Sequence, residues 1–206
     1  MAQQEGQGVL AQQEFNMRIF FDTEFTGLHK NTTLISLGFV SEDGRYFYAE
    51  FTDYDKSQVD SWIKENVIDN FILSDMEVNT SRCNTLRELS SKGSKSYVVE
   101  DLKIWLSQFR EIEIWSDCLA YDWVLFCDIF GTAFDIPENI FYIPFDICTV
   151  FRMLGFNPDI NREEFIGEEA LENIKRVFKG KEQKHNALWD ALVIKECYNK
   201  LNMFMG

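Results

Sequence analysis

Asp22-Thr23-Glu24 sets two carboxylates two residues apart where the apolar run Met17–Thr23 (MRIFFDT) turns acidic. Alternate residues of an extended strand share a face, so both acids point to one side of a sheet, a geometry that suits a bound cation. The spacing is common in this chain: Asp53-Tyr54-Asp55, Asp75-Met76-Glu77 and Glu111-Ile112-Glu113 repeat it. The first pair differs in its setting. A continuous apolar strand precedes it, and the compact Phe25-Thr26-Gly27-Leu28 follows it, with a glycine that lets a ligand approach the backbone. Two more places carry candidate chemistry. His185 and Asp190 stand five apart at the start of the last helical segment, and Asp122 begins another in Leu119-Ala120-Tyr121-Asp122-Trp123. Each has a plain structural reading: His185 flanks a helix, Asp190 favours the positive end of its dipole, and Asp122 is an N-cap. Their conjunction points further. Four carboxylates at element ends can hold divalent cations, and His185, one of two histidines with His29, can accept a proton near neutral pH.

The elements that must position them follow from pattern. Met17–Thr23, Leu34–Val40 and Arg45–Phe51 read as three antiparallel strands, the last two joined through Ser41-Glu42-Asp43-Gly44, where Asp-Gly marks a hairpin. Val59–Val67 reads as a short helix and the polar stretch 79–96 as a long loop. Val98, Leu102, Trp105, Leu106 and Phe109 lie on one helical face. Ile112, Ile114 and Trp115 suggest a strand, Asp122–Phe130 a helix ending at Gly131, Ile140–Ile143 a short strand, and Ile147–Leu154 a helix capped by Asp146. Leu188, Ala191, Leu192, Lys195 and Tyr198 mark the last helix. Strands first, then alternating helix and strand, give an α/β class: a mixed sheet flanked by helices with an antiparallel hairpin edge. Residues 1–16 read as a flexible tail or an expression remnant, and 17–206 as one domain.

The 206 residues are 46% hydrophobic, enough for an ordinary core, and the net charge of −14 opposes binding of long nucleic acid by bulk attraction. Any such contact is local or metal-assisted. Two basic segments stand out: Lys175, Arg176, Lys179, Lys181 and Lys184 just before His185, and Arg82, Arg87, Lys92 and Lys95 within the polar stretch. Solvated loops and phosphate contacts are both open readings for them. Five cysteines without a C-x-x-C pair suggest neither a zinc ribbon nor a disulfide framework, and point to a reducing cytoplasm. No apolar run is long enough to span a membrane, so no membrane partner is expected.

The order D-x-E, D, H-x-A-x-x-D resembles the DEDDh branch of the 3′–5′ exonuclease superfamily. Asp22 and Glu24 match its first motif, Asp122 its second, and His185 with Asp190 its third. The strand opening MRIFFDTEF, the segment LISLGFVSEDGRYFYAEF, the helix Ser61–Val67 and the Ala120-Tyr121-Asp122 step are most similar to bacterial exoribonucleases of the RNase AS type. The resemblance implies a ribonuclease H-like mixed sheet of five or six strands. It implies metal-dependent hydrolysis of single-stranded, adenylate-rich RNA from the 3′ end, releasing nucleoside 5′-monophosphates, and a homodimer. Asp22, Glu24, Asp122 and Asp190 would hold two Mg²⁺ or Mn²⁺ ions, which the all-oxygen donor set favours over zinc, and His185 would be the general base. Phe25 and Thr26 are candidate substrate contacts, Phe25 as a stacking surface or as core. The chain departs from the pattern at Cys118, where many members have Asn, and at Phe25-Thr26-Gly27, where proofreading enzymes have Thr-Thr-Gly. A DNA 3′–5′ exonuclease on the same fold and a non-catalytic nucleic-acid- or partner-binding domain are the alternatives.

Overall fold

The computed structural model describes residues 16–205, so the tail expected over 1–16 lies, up to residue 15, outside the described residues. Strand β1 (Met17–Phe25) pairs antiparallel with β2 (Leu34–Ser41), which pairs antiparallel with β3 (Tyr46–Phe51). The hairpin turn is where Asp-Gly predicts it, with Gly44 at φ +83°. On its other side β1 pairs parallel with β6 (Ile112–Ser116), which pairs parallel with the short β7 (Phe145–Asp146). With β4 (Thr80–Thr85) and β5 (Glu88–Gly93) the sheet order is β4-β5-β3-β2-β1-β6-β7. This is the mixed α/β sheet with an antiparallel hairpin edge that the pattern implies.

Among the described residues seven strands replace the expected five or six, and the surplus lies in residues 79–96. That stretch is not a loop. It forms the β4–β5 hairpin, docked parallel on β3, and then the start of helix α2 (Lys95–Leu106). Strand β5 buries Leu89, Ser91 and Gly93 on one face, so small and polar residues occupy positions where a strand signal needs large apolar ones. Strand β4 is an exposed edge and carries no burial pattern at all. At the opposite edge, Ile140–Ile143 is not a strand: Ile140 only bridges to Ile112, while Phe141, Tyr142 and Ile143 are exposed. Pairing resumes one residue after Pro144, which has no N–H to give a ladder.

Alternation along β1 divides the core. Ile19 and Phe21 pack with Phe39, Phe47, Leu102 and Trp105 under α2 and α3 (Ala120–Phe130). Phe20 packs with Val40, Tyr48, Leu188 and Trp189 under α7 (Ala187–Asn202). The remaining helices are α1 (Ser61–Asn66), α4 (Ile147–Met153), α5 (Arg162–Ile166) and α6 (Glu168–Val177). Asp146 caps α4 as expected, accepting the Cys148 amide at 2.7 Å, and its second oxygen takes the Leu119 amide at 3.3 Å. Among the described residues no helix is long and apolar enough to cross a membrane.

Candidate active site

Asp22 and Glu24 continue the face of β1 that carries Phe20 and therefore look toward α7. Gly38 lets that helix come close. It lies opposite Asp22 in the β1–β2 register, and a Cβ there would stand 2.3 Å from the Ala187 carbonyl oxygen and 2.4 Å from the Leu188 amide nitrogen. The first turn of α7 thus rests on bare strand backbone, and Asp190 lies in that turn. Asn186 caps the helix, its Oδ1 accepting the amides of Leu188 and Trp189 at 3.1 and 3.4 Å. Its Nδ2 donates to the Tyr48 hydroxyl at 3.0 Å and the Asn70 carbonyl at 3.2 Å, which ties the cap to β3 and to the segment after α1. His185 is held in the left-handed region at φ +62°, a conformation that aims its amide at Asp190 Oδ2, 3.0 Å away. Its ring meets Trp62 edge-on at 5.1 Å. One ligand atom each of Glu24, His185 and Asp190 lie within 4.8 Å of one another.

Asp122 arrives from the other side of the strand. Helix α3 begins at Ala120, with Leu119 in the capping position, so Asp122 lies inside the first turn and is not the N-cap. Thr23, which faces away from Asp22, gives both its amide, at 3.2 Å, and its hydroxyl to Asp122 Oδ1. The Ser116 hydroxyl reaches the second oxygen at 3.4 Å. The D-x-E spacing therefore does two things: its ends present two acids to α7, and its centre anchors a third.

Burial pushes Asp22 well above the usual carboxylate range, and the charges of Asp122, Asp190 and Glu24 push it further. Glu24 is raised in the same way, by burial and then by Asp190 and Asp122. Burial lifts Asp122 to about 6, against the pull of the Thr23 hydroxyl and amide. Asp190 is lifted to about 7 by burial, opposed by the His185 amide. None of the four forms an ion pair among the described residues. Such a cluster ionises fully only when cations enter it, and its oxygen donors fit a hard divalent ion. These acids could therefore bind metal. The His185 imidazole is held below its ordinary pKa by burial and by the nearby Lys184 charge, so it is a neutral acceptor.

The model of the Rv2179c-like 3′–5′ exoribonuclease domain family matches residues 17–201, a span that contains all five of these side chains. The chain belongs to this family. Two relatives, the 3′–5′ exoribonucleases Rv2179c and MT2234.1 of Mycobacterium tuberculosis strains H37Rv and CDC 1551, are each 32% identical over 124 residues, covering 60% of this chain and 67% of theirs. Among solved structures, the Pan2 catalytic unit (protease and nuclease domain) of Neurospora crassa aligns over 95% of this chain and 29% of its own, at 15% identity and a TM-score of 0.46.

In this exoribonuclease-family domain the two expected substrate contacts sit differently. Phe25 is half-buried and stacks on Tyr121 with centroids 5.4 Å apart. Thr26 is buried, its hydroxyl engaged by the Thr33 amide at 2.8 Å and by Gln58 Oε1, so it shapes the loop after β1. Sequence reasoning missed Gly38, Trp62, Asp117 and Arg162. Asp117 follows β6, and because β1 and β6 are parallel their carboxyl ends lie side by side, the usual place for a site on such a sheet. Arg162 clamps Asp117 with two bonds of 2.6 and 2.9 Å and donates to the carbonyls of Pro158 and Ile160, both at 2.7 Å. A cleft of about 280 Å³ joins Asp22, Asp190 and His185 to Asp117, Arg162 and Lys184. Cys118, at φ +53°, puts its sulfur 3.8 Å from that of Cys148, and the guanidinium beside them makes this corner unsuited to a cation.

Proposed function

We propose that this domain removes nucleoside 5′-monophosphates from the 3′ end of single-stranded RNA in the cytoplasm, with adenylate-rich RNA as its preferred substrate. Membership of a 3′–5′ exoribonuclease family supplies the reaction class and RNA as the substrate. The observation that carries the residue roles is the convergence of Glu24, His185 and Asp190 within 4.8 Å, beside Asp22 and Asp122.

Asp22, Glu24, Asp122 and Asp190 would hold two Mg²⁺ or Mn²⁺ ions. When bound, such ions supply positive charge to an attacking water oxygen and to the departing 3′ oxygen. Thr23 orients Asp122 through two donors, and the left-handed turn at His185 orients Asp190 through one. His185 takes the proton of the attacking water at an imidazole nitrogen as that oxygen bonds to phosphorus. The bond from phosphorus to the 3′ oxygen breaks, and the shortened strand regains a 3′ hydroxyl with a proton from solvent. Phe25, backed by Tyr121, offers a surface on which the terminal base stacks.

The test is a time course on end-labelled RNA and the matching DNA, with Mn²⁺, with EDTA, and with His185→Ala. A ladder shortening from the 3′ end of RNA, absent in EDTA and in the variant, is the expected result. Shortening of DNA alone would replace the assignment with the DNA reading, and no shortening of either strand would leave a binding domain. Homopolymer competition reads the adenylate preference, and sedimentation reads the homodimer.

A further inference from the structure

The two basic segments, nearly a hundred residues apart in sequence, meet in space. Helix α7 covers β1 and β2 but barely reaches β3, so the same sheet face stays open over β5 and β4. There a cavity of about 380 Å³ opens, with Arg82 from β4 on one wall and Lys179 and Lys181, from the loop between α6 and α7, on the other. Phe71 and Phe178 line its apolar side, and Glu88 is the one acidic residue among the described residues that line it. The loop turns sharply there: Lys179 is left-handed at φ +56°, and the Gly180 amide closes on the Lys175 carbonyl at 2.8 Å.

The fold does not use these cations as it uses their neighbour. Lys92 on the same hairpin donates to the carbonyls of Leu73 and Met76 at 2.8 and 3.0 Å. Lys179 and Lys181 form no ion pair among the described residues, and Arg82 holds only the exposed Asp75, at 2.9 Å. An exposed pair of that kind contributes little to stability and exchanges readily for a phosphate. The cavity also adjoins the catalytic cleft. Gln183 lines the one, and the next two residues, Lys184 and His185, line the other.

We propose that this cavity takes the phosphodiester backbone of the RNA on the 5′ side of the nucleotide being removed. The proposal rests on the exoribonuclease reading for its ligand. A strand whose 3′ end lies at His185 passes over the 183–184 ridge and meets three cations in a chain whose net charge is −14. Their role is to hold longer RNA, and a dinucleotide does not reach them.

The experiment compares the Arg82→Ala/Lys179→Ala/Lys181→Ala variant with the parent in two assays. Binding of a fluorescent single-stranded RNA of about 12 nucleotides is measured with Mg²⁺ in a His185→Ala background, across salt concentrations; dinucleotide hydrolysis is measured with His185 intact. The expected result is a slope of log affinity against log salt shallower by about 2, from about 0.7 per phosphate contact on a single strand, with kcat/KM on the dinucleotide unchanged. An unchanged slope overturns the proposal. So does a parallel loss of dinucleotide hydrolysis, which would place the cations in the cleft itself. Adenosine 5′-monophosphate that binds the parent but not the variant, with RNA affinity unaltered, would make the cavity a site for a free nucleotide and also overturn it. If the exoribonuclease reading fails, neither protein hydrolyses either substrate, while the binding slope still reports on the cavity.

Discussion

Replacing Gly38 by alanine tests whether the closeness of α7 to the sheet makes the site. The added carbon would stand 2.3 Å from the Ala187 carbonyl oxygen and 2.4 Å from the Leu188 amide nitrogen, both backbone atoms that cannot rotate aside. Carbon finds its best nonbonded contact at about 3.5 Å or beyond, so the first turn of α7 must withdraw by about 1 Å. His185 and Asp190 ride on that turn, whereas Asp22 and Glu24 stay with β1. A misplacement of about 1 Å between reacting groups costs on the order of 100-fold in rate, equivalent to about 2.7 kcal/mol in the barrier. The overpacking itself costs roughly 1–3 kcal/mol of stability, which leaves a domain of ordinary stability folded. The assay is kcat/KM on single-stranded RNA at a temperature where circular dichroism shows the variant folded. A folded Gly38→Ala protein with the parent's rate would refute the argument, because the site would then tolerate a displaced helix.

Three further outcomes are expected. His185→Ala should lower kcat by about 10²–10⁴-fold, and the parent's rate should rise with pH through an imidazole pKa that burial holds below the ordinary 6.5; a variant keeping that limb would remove His185 from the proton transfer. In EDTA the melting temperature should fall as pH rises from about 4 through about 7, because the folded state keeps a proton on Asp190 at a pKa of about 7 that the unfolded chain loses near 3.8. Asp190→Asn should flatten that fall while abolishing turnover, Mg²⁺ should restore stability to the parent at neutral pH, and a melting temperature that climbs with pH in EDTA would contradict this. Arg162→Ala should cost about 3 kcal/mol in urea unfolding by leaving Asp117 charged with only the Cys148 thiol to donate to it, and adding Asp117→Asn should recover part of it; equal losses in both proteins would show that the pair does not couple.

The acids were legible because a strand has a period of two and because Asp22 and Glu24 end an apolar run. The helical face from Val98 to Leu106 was legible for the same kind of reason, and its four residues are buried; Phe109, expected on that face, is buried too but lies past the helix, which ends at Leu106. What stayed hidden depends on contacts across the chain. Strand β5 hides Ser91 and Gly93 beside Leu89, so its burial leaves a single apolar mark and no alternation, and β4 is exposed along nearly its whole length. Asp122 reads as a cap because Asp suits that position, yet the helix starts two residues earlier and tertiary bonds from Thr23 decide its role. Gly38 looks like any strand glycine until α7 is laid across it. The left-handed turn at His185 has no sequence signature, since histidine adopts it here for the sake of one bond to Asp190.

The side-chain alternation of β1 carries a consequence for how this gene can change. Ile19, Phe21 and Thr23 belong to one face and Phe20, Asp22 and Glu24 to the other. Inserting or deleting one residue between Met17 and Asp22 would turn the phenylalanines and the acids over together, putting charge into one core and benzyl groups into the cleft. Point substitutions can wear the site down by degrees, but a length change in this strand removes fold and chemistry in one step. Variation in length is tolerable in the exposed turn just beyond, around Leu28–Asn31, where neither face is committed.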